Sequence, residues 1–373
     1  MSKAVAPFRA DHVGSLLRPQ SLLQARRRHA EGLLTAEQLR ELEDQAIVHA
    51  VALQEQVGLQ GITDGEYRRA IFHVDFLKHI HGVSVSAGTY TVKFRGAAQP
   101  IDFAPPVLAV TGKLQRPSGG ISVEDFKYLN SVTNRTAKLC IPSPSMLHFR
   151  GGRQNVDANA YPDIDGFFED LARVYREEVA ELAAAGCRYL QLDDTNLAYL
   201  CDPEHRARAQ SIGEDPDRLP QLYTRLINDC IASRPADMRV CVHLCRGNFR
   251  SAWVAEGGYE PVAEVLFSEM DVDGFFLEYD DARSGGFEPL RFVPAGKSVV
   301  LGLVTSKRPE IEPADELKRR VEEASRYVPL DALALSPQCG FSSSEDGNAL
   351  TEEQEIAKLR LVVDTASEIW GDA

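Results

Sequence analysis

The chain has 373 residues, 44% hydrophobic and 26% charged, a composition typical of globular proteins and long enough for a large buried core. A formal net charge of -14 argues against a nucleic-acid or anionic-membrane partner. The N-terminus MSKAVAPFRADHVGS lacks an apolar signal core, no run of about 18 apolar residues exists, and the seven cysteines are odd in number without disulfide-scaffold spacing, so a cytoplasmic protein with reduced thiols is expected.

In chain order, Phe8–Val13 reads as a strand, Ala36–Gln56 as a helix and Leu59–Thr63 as a strand. The basic cluster Arg26-Arg27-Arg28 falls on a further helix and reads as a solvated face. Residues 81–135, rich in Val, Thr, Gly and Pro, read as a β-rich insertion that flanks or covers a barrel mouth. Lys138–Ile141 resumes the strand pattern. From about residue 160 helix and strand alternate: a helix over 165–185, strand Cys187–Leu192, helix Leu219–Ser233, strand Met238–Leu244, helix Tyr259–Phe267 and strand Gly274–Leu277. Strand Ser298–Leu303, helix Pro313–Tyr327, strand Leu333–Leu335 and a closing helix Leu350–Trp370 follow. Strands separated by helices imply parallel βαβ units, and about eight of them fit an α/β fold of the TIM (β/α)8 barrel type, one domain over 1–373. An open doubly wound sheet is the alternative. It loses weight because no G-x-G-x-x-G follows the first strand and no G-x-x-x-x-G-K-[ST] loop occurs.

Four polar residues, His243, Cys245, Glu278 and Cys339, each follow one of these apolar runs. Two thiolates, an imidazole and a carboxylate are the ligand types and number of a tetrahedral zinc site. In Arg239-Val240-Cys241-Val242-His243-Leu244-Cys245 alternate residues share a strand face. His243 and Cys245 then stand at the C-terminal end, where barrel enzymes carry their chemistry, with Cys241 one layer deeper in the core. Each residue alone has a plainer reading. A strand-end His can be a hydrogen-bonded core residue, Cys339 can be packing, and Glu278 can be a general acid or base.

With these residues the chain resembles the cobalamin-independent methionine synthase family, in the short form similar to its zinc-bearing C-terminal barrel. That family binds zinc through a His, a Cys two residues later, a Glu and a distant Cys, and His243, Cys245, Glu278 and Cys339 match in type and order. The resemblance also implies homocysteine contacts. An early Gly-Ser is here Gly14-Ser15, a Gly-Glu pair is Gly65-Glu66, and an Asp ending a mid-chain strand is Asp193. Glu66 and Asp193 suit an α-ammonium group, and Ser15 a carboxylate. The alternatives are turn-forming roles for Gly14 and Gly65, a helix cap at Ser15, and Asp194 as the working acid.

Three departures stand out. The family's second, N-terminal barrel has no counterpart. Its proton-donating His aligns with Thr305, which cannot perform imidazole acid chemistry at neutral pH. Its pterin-lining Trp is replaced near His148. The implied activity is therefore zinc-dependent methyl transfer to a thiol, homocysteine foremost, with the donor a methylfolate or a methyl-corrinoid on a carrier protein. Glu278 is expected to be the ligand that leaves, as the hard oxygen among softer donors. His148 is the expected proton donor, with His73 and His12 as further candidates, and Lys307 and Arg246 could bind an anionic part of the donor. Three other readings remain open: alkyl transfer to a different thiol or thiolate opening of an epoxide, a uroporphyrinogen decarboxylase-like barrel without metal, and a structural zinc.

Overall fold

The computed structural model describes residues 6–88, 91–96 and 100–371. In chain order the strands are β1 (Gly61–Ile62), β2 (His81–Ser86), β3 (Val92–Phe94), β4 (Ile101–Phe103), β5 (Val107–Gln115), β6 (Thr136–Pro142), β7 (Tyr189–Asp194), β8 (Arg239–Leu244), β9 (Gly274–Glu278), β10 (Ser298–Val304) and β11 (Leu333–Pro337). Seven of them, in the order β1-β6-β7-β8-β9-β10-β11, form one parallel sheet. Consecutive strands are neighbours, as right-handed βαβ connections require.

The sheet curls. Alternate side chains from the strands meet in an interior cluster of Phe8, Val13, Tyr189, Cys241, Phe276, Val300 and Ala334, separate from the much larger core between sheet and helices. Cys241 thus lies in the core, as its strand position predicts. The expected strand Phe8–Val13 makes a single parallel bridge, Ala10 to Leu335, with Asp11 N donating to Leu335 O at 3.0 Å and Leu335 N to Arg9 O at 2.8 Å. Toward β1 it makes a side-chain contact, His12 Nε2 to Gly61 O at 3.1 Å.

The flanking helices carry clear punctuation. Ala36–Val57 opens with a capping box in which Thr35 and Gln38 exchange hydrogen bonds, and it closes on Gly58 at φ 108°. Glu352–Trp370 repeats the device with Thr351, Gln354 and Gly371, so it starts two residues later than its apolar pattern suggests. This last helix packs on both β11 and Ala36–Val57, joining the two ends of the helical layer.

Between β1 and β6 the chain forms two antiparallel ladders, β2 with β5 and β3 with β4. Residues Val123–Val132, inside the stretch expected to be β-rich, are instead a helix packed against β6. Its buried Val123, Phe126 and Leu129 fall at helical spacing, a signal the surrounding Val and Thr content hides. Among the described residues no helix is long and apolar enough to cross a membrane.

Candidate metal centre and substrate cavity

Strand β8 delivers His243 and Cys245 to the C-terminal rim of the sheet, and β11 leads into Cys339 two residues past its end. The loop carrying Cys339 is tied down on both sides. Gln338 Oε1 accepts from Ser306 N and Oγ, each at 2.8 Å, and Gly340 O accepts from Asn248 Nδ2 at 2.7 Å. Gly340 must be glycine, because a Cβ there would stand 1.9 Å from Ser15 Oγ. The result is a buried triad in which one ligand atom each of His243, Cys245 and Cys339 lies within 4.8 Å of the others, the two sulfurs 3.2 Å apart.

The sulfurs stand within hydrogen-bond distance of each other. The Cys245 thiol beside it holds Cys339 well below the ordinary thiol range, and the same contact, with burial, pushes Cys245 well above it. For His243 burial works toward a lower pKa, yet neighbouring Cys339, Asp193 and Glu278 outweigh it and the imidazole is raised. Both ring nitrogens of His243 are buried without a geometric hydrogen-bond partner. Buried imidazoles seldom leave both nitrogens unsatisfied. Two sulfurs and an orphaned imidazole converging on one point fit a soft or borderline metal ion.

Glu278 is close to this triad but does not join it. It ends β9, is fully buried, and directs its carboxylate elsewhere. Oε2 accepts from Arg246 N at 2.9 Å, and Oε1 from Lys307 Nζ at 3.3 Å and from Arg283 Nη2. Burial alone would raise its pKa, but Lys307, Arg283 and Arg246 overcome that and hold it at about 2. Lys307 and Arg246, candidates for a donor's anionic part, are buried and committed to Glu278, Arg246 also donating to Tyr259 Oη at 2.9 Å and to Gly257 O.

The triad opens into a cavity that also receives Ser15, Glu66 and Asp193. Asp193 sits directly across from His243 in the β7–β8 register. Its own carboxylate accepts a hydrogen bond from Gln191 Nε2 at 2.7 Å, whereas Asp194 is engaged by Leu197 N at 2.8 Å and by Ser145 Oγ. Asp193 is therefore the available acid of the two. Glu66 holds a left-handed φ of 59°, a conformation costing a non-glycine residue about 1 kcal/mol, and its Oε2 is buried without a partner. Burial raises the pKa of Glu66 to about 8, with Asp193 and Asp64 adding to it against Arg69 and Arg18. Burial likewise raises Asp193 to about 6. Two adjacent carboxyls destabilised as anions make a site that gains from an arriving cation.

Much of the remaining wall is aromatic, with His73, Arg150, His205, Arg208 and Asn248 among its polar members. Phe72, Phe94, Phe103, Phe149, Tyr199 and Phe249 face the cavity, with Phe103 and Phe249 stacked at 4.5 Å between centroids. Phe94 and Phe103 come from the β3–β4 ladder, a contribution that β-rich composition alone does not reveal. His148 is not among the lining residues. Its ring is buried against Phe167 and Phe168, with Nδ1 2.9 Å from Tyr223 Oη and Nε2 3.5 Å from Glu214. His12 is bonded to Gly61 O at the other end of the curl. Of the three histidines considered as proton donors only His73 reaches the cavity, joined there by His205, which no sequence signal singled out.

The chain has recognisable relatives among known proteins. Residues 8–368 match the family model described as cobalamin-independent synthase, catalytic domain. The Bacillus subtilis protein YxjH is 46% identical over 98% of this chain and 95% of its own length. A methionine synthase of Pyrococcus abyssi is 24% identical over 88% of this chain and 85% of its own, and a 5-methyltetrahydropteroyltriglutamate–homocysteine methyltransferase of Thermotoga petrophila is 20% identical over 97% of this chain but only 44% of its own. Among solved structures, one from Listeria monocytogenes superposes with a TM-score of 0.78 at 39% identity, covering 99% of each chain. A B12-independent methionine synthase from Shewanella, bound to selenomethionine, shares the fold with a TM-score of 0.72 at 21% identity over 97% of each chain. The match over nearly the entire chain means that this protein belongs to the cobalamin-independent synthase catalytic-domain family, a family of methyltransferase enzymes.

Proposed function

We propose that this enzyme binds zinc through His243, Cys245 and Cys339 and transfers a methyl group to a thiol, homocysteine foremost, giving methionine. The observation that carries the reading is the convergence of those three side chains, with both His243 nitrogens unpartnered, on the same cavity as Ser15, Glu66 and Asp193. The activities named for the Pyrococcus and Thermotoga relatives support it. When bound, zinc keeps a coordinated thiol deprotonated at neutral pH, so that its sulfur stays nucleophilic.

This chain's own residues supply the rest. Glu66 and Asp193 take the α-ammonium group, which relieves the repulsion and desolvation that raise both carboxyls in the empty site. Ser15 is placed for the α-carboxylate. Holding both ends of the amino acid fixes the sulfur's approach and removes much of the orientational entropy of the reaction. The aromatic wall excludes water and offers a surface for a flat donor such as a methylfolate; nothing in the comparisons supports a corrinoid carrier protein. We also read the curl as a closed (β/α)8 barrel with Phe8–Val13 as its eighth stave, residues 81–115 as an insertion over the mouth, and the enzyme as cytoplasmic. A site open to a cavity argues against a purely structural metal.

Metal analysis of the purified protein and of Cys339→Ser tests the reading, followed by assays of homocysteine and other thiols with methylfolate and methylcobalamin. About one zinc per wild-type chain, lost in the variant together with methyl transfer, is the expected result. A metal-free protein that retains full activity overturns it.

A further inference from the structure

Resting on the methyl-transfer reading above, we propose that Arg150 and His73 form a carboxylate subsite in the cavity, and that this subsite takes the acid group of the methyl donor. The two side chains come from the segments that follow β6 and β1, neighbouring strands of the sheet. Glu66 stands on the second of these segments, so all three belong to the C-terminal rim. Arg150 and His73 line the main cavity and also a small adjoining one walled by residues 106–108, Met146 and Asn155. They stand at the boundary between the two.

Each brings a polar atom that the fold leaves unanswered. Arg150 Nη1 is buried without a hydrogen-bond partner, and so is Nδ1 of His73, a residue only 3% exposed. Other cations of the rim are engaged. The guanidinium groups of Arg246 and Arg283 donate to Glu278, and Lys307 pairs with the same carboxylate. A buried guanidinium N–H without an acceptor has lost its water and gained nothing in exchange, and an arriving anion reverses that loss.

Charge selects the ligand. Burial, with the Arg150 charge adding to it, holds the His73 imidazole well below its ordinary range, so it stands neutral beside the single positive charge of Arg150. A carboxylate matches that charge. One oxygen takes the guanidinium, and the other takes the Nδ1–H of the matching His73 tautomer. A phosphate dianion would keep an unmatched charge near Phe72, whose ring centroid lies 4.7 Å from that of His73. The same logic sorts the two substrates. Glu66 and Asp193 attract the ammonium group of the amino acid and repel an acid, whereas Arg150 does the reverse. The flat part of the donor then lies along Phe94, Phe103 and Phe249.

Benzoate and benzamide, one ring with and without the charge, are the probes, titrated into the purified protein by calorimetry alongside inorganic phosphate. Wild type should bind benzoate about tenfold or more tightly than benzamide, and phosphate less tightly than benzoate. Arg150→Met should bring benzoate down to the benzamide level, while Arg150→Lys and His73→Leu each weaken it by less. With methyltetrahydrofolate as donor, Arg150→Met should raise the KM for the donor about tenfold or more, with kcat and the KM for homocysteine within about twofold. That split separates donor binding from a general loss of structure. If Arg150→Met does not fold, Arg150→Lys and the wild-type comparison of the probes carry the test. Equal binding of the two probes by wild type, tighter binding of phosphate, or benzoate binding unchanged in the variants overturns the proposal. So does a rise in the KM for homocysteine in place of that for the donor, or methyl transfer from methylcobalamin, which carries carboxamides, to the exclusion of methylfolate. A protein that prefers benzoate yet transfers no methyl group from either donor refutes the methyl-transfer reading, a separate outcome.

Discussion

The interior of the curled sheet has a floor and a mouth, both buried and both polar, and they treat their polar atoms in opposite ways. On the floor every charge is answered. Asp11 Oδ1 accepts from Lys138 Nζ at 2.9 Å and from His12 N at 2.8 Å, and Oδ2 from Tyr189 Oη at 2.6 Å and Phe8 N at 3.2 Å. Lys138, fully buried, also donates to His12 O and lies over the Phe276 ring at 4.1 Å. At the mouth, both nitrogens of His243, Oε2 of Glu66 and Oε1 of Gln191 have no partner. Unsatisfied buried polar groups cost stability, so an imidazole and a carboxylate left without partners beside a cavity mark where a ligand can complete the structure.

The largest effect expected from this contrast is on the floor. Lys138→Met leaves Asp11 buried without its cation, and unfolding by urea should show a loss of about 3–5 kcal/mol. Asp11→Asn/Lys138→Met should recover much of it, because the uncompensated charge is gone. A loss under about 1 kcal/mol in the single variant would mean the floor is hydrated or adaptable, and the contrast with the mouth would be weaker than drawn. At the mouth the sign reverses. Glu66→Gln removes a carboxyl that burial and Asp193 make unfavourable, so the melting temperature should hold or rise. The KM for homocysteine should rise by about tenfold or more through loss of the ammonium contact. A fall in stability with unchanged KM would place Glu66 with the floor.

How much of this was legible in the sequence follows from the range of each signal. The strand ends at His243, Cys245, Glu278 and Cys339 could be read because an apolar run followed by one polar residue is local. So could the core role of Cys241, from simple alternation. What could not be read is where a side chain turns after its strand ends. The direction of the Glu278 carboxylate depends on Arg283 and Lys307, whose own placement depends on Trp253 and the β9–β10 loop. The aromatic wall escaped notice because Phe94 and Phe103 belong to short strands whose antiparallel pairing is nonlocal. His148 was misjudged for the same reason: position in the chain placed it near the rim, and packing against Phe167, Phe168 and Tyr223 put it behind the cavity wall.

His148→Gln tests that last correction. With Nδ1 bonded to Tyr223 and Nε2 facing Glu214, the variant should lose about 1–3 kcal/mol of stability while kcat stays within about twofold. A hundredfold fall in kcat at unchanged stability would restore the histidine to the reaction.

Glu355 supplies the most discriminating case, since it belongs to neither end. It is buried in the first turn of the last helix, and its Oε1 accepts a hydrogen bond from Leu17 N at 3.1 Å. Burial raises its pKa to about 8, with Glu352 adding to the rise against the Leu17 N–H and Arg18. The unfolded chain gives up this proton near pH 4.5. Between that value and about 8 the unfolded state is ionised while the folded state keeps its proton, so this residue's contribution to stability declines as pH rises through the window and levels off above it. Glu355→Gln keeps an acceptor for Leu17 and cannot ionise. Its stability relative to wild type should therefore lie within about 1 kcal/mol at pH 5 and grow to a few kcal/mol by pH 8.5, read as the difference between urea unfolding curves. Taking the difference cancels the parallel slope from Glu66, which both proteins retain. A gain that shrinks with rising pH would mean that one backbone donor is enough to keep a buried carboxylate ionised, and the number of partners would then no longer separate the floor from the mouth.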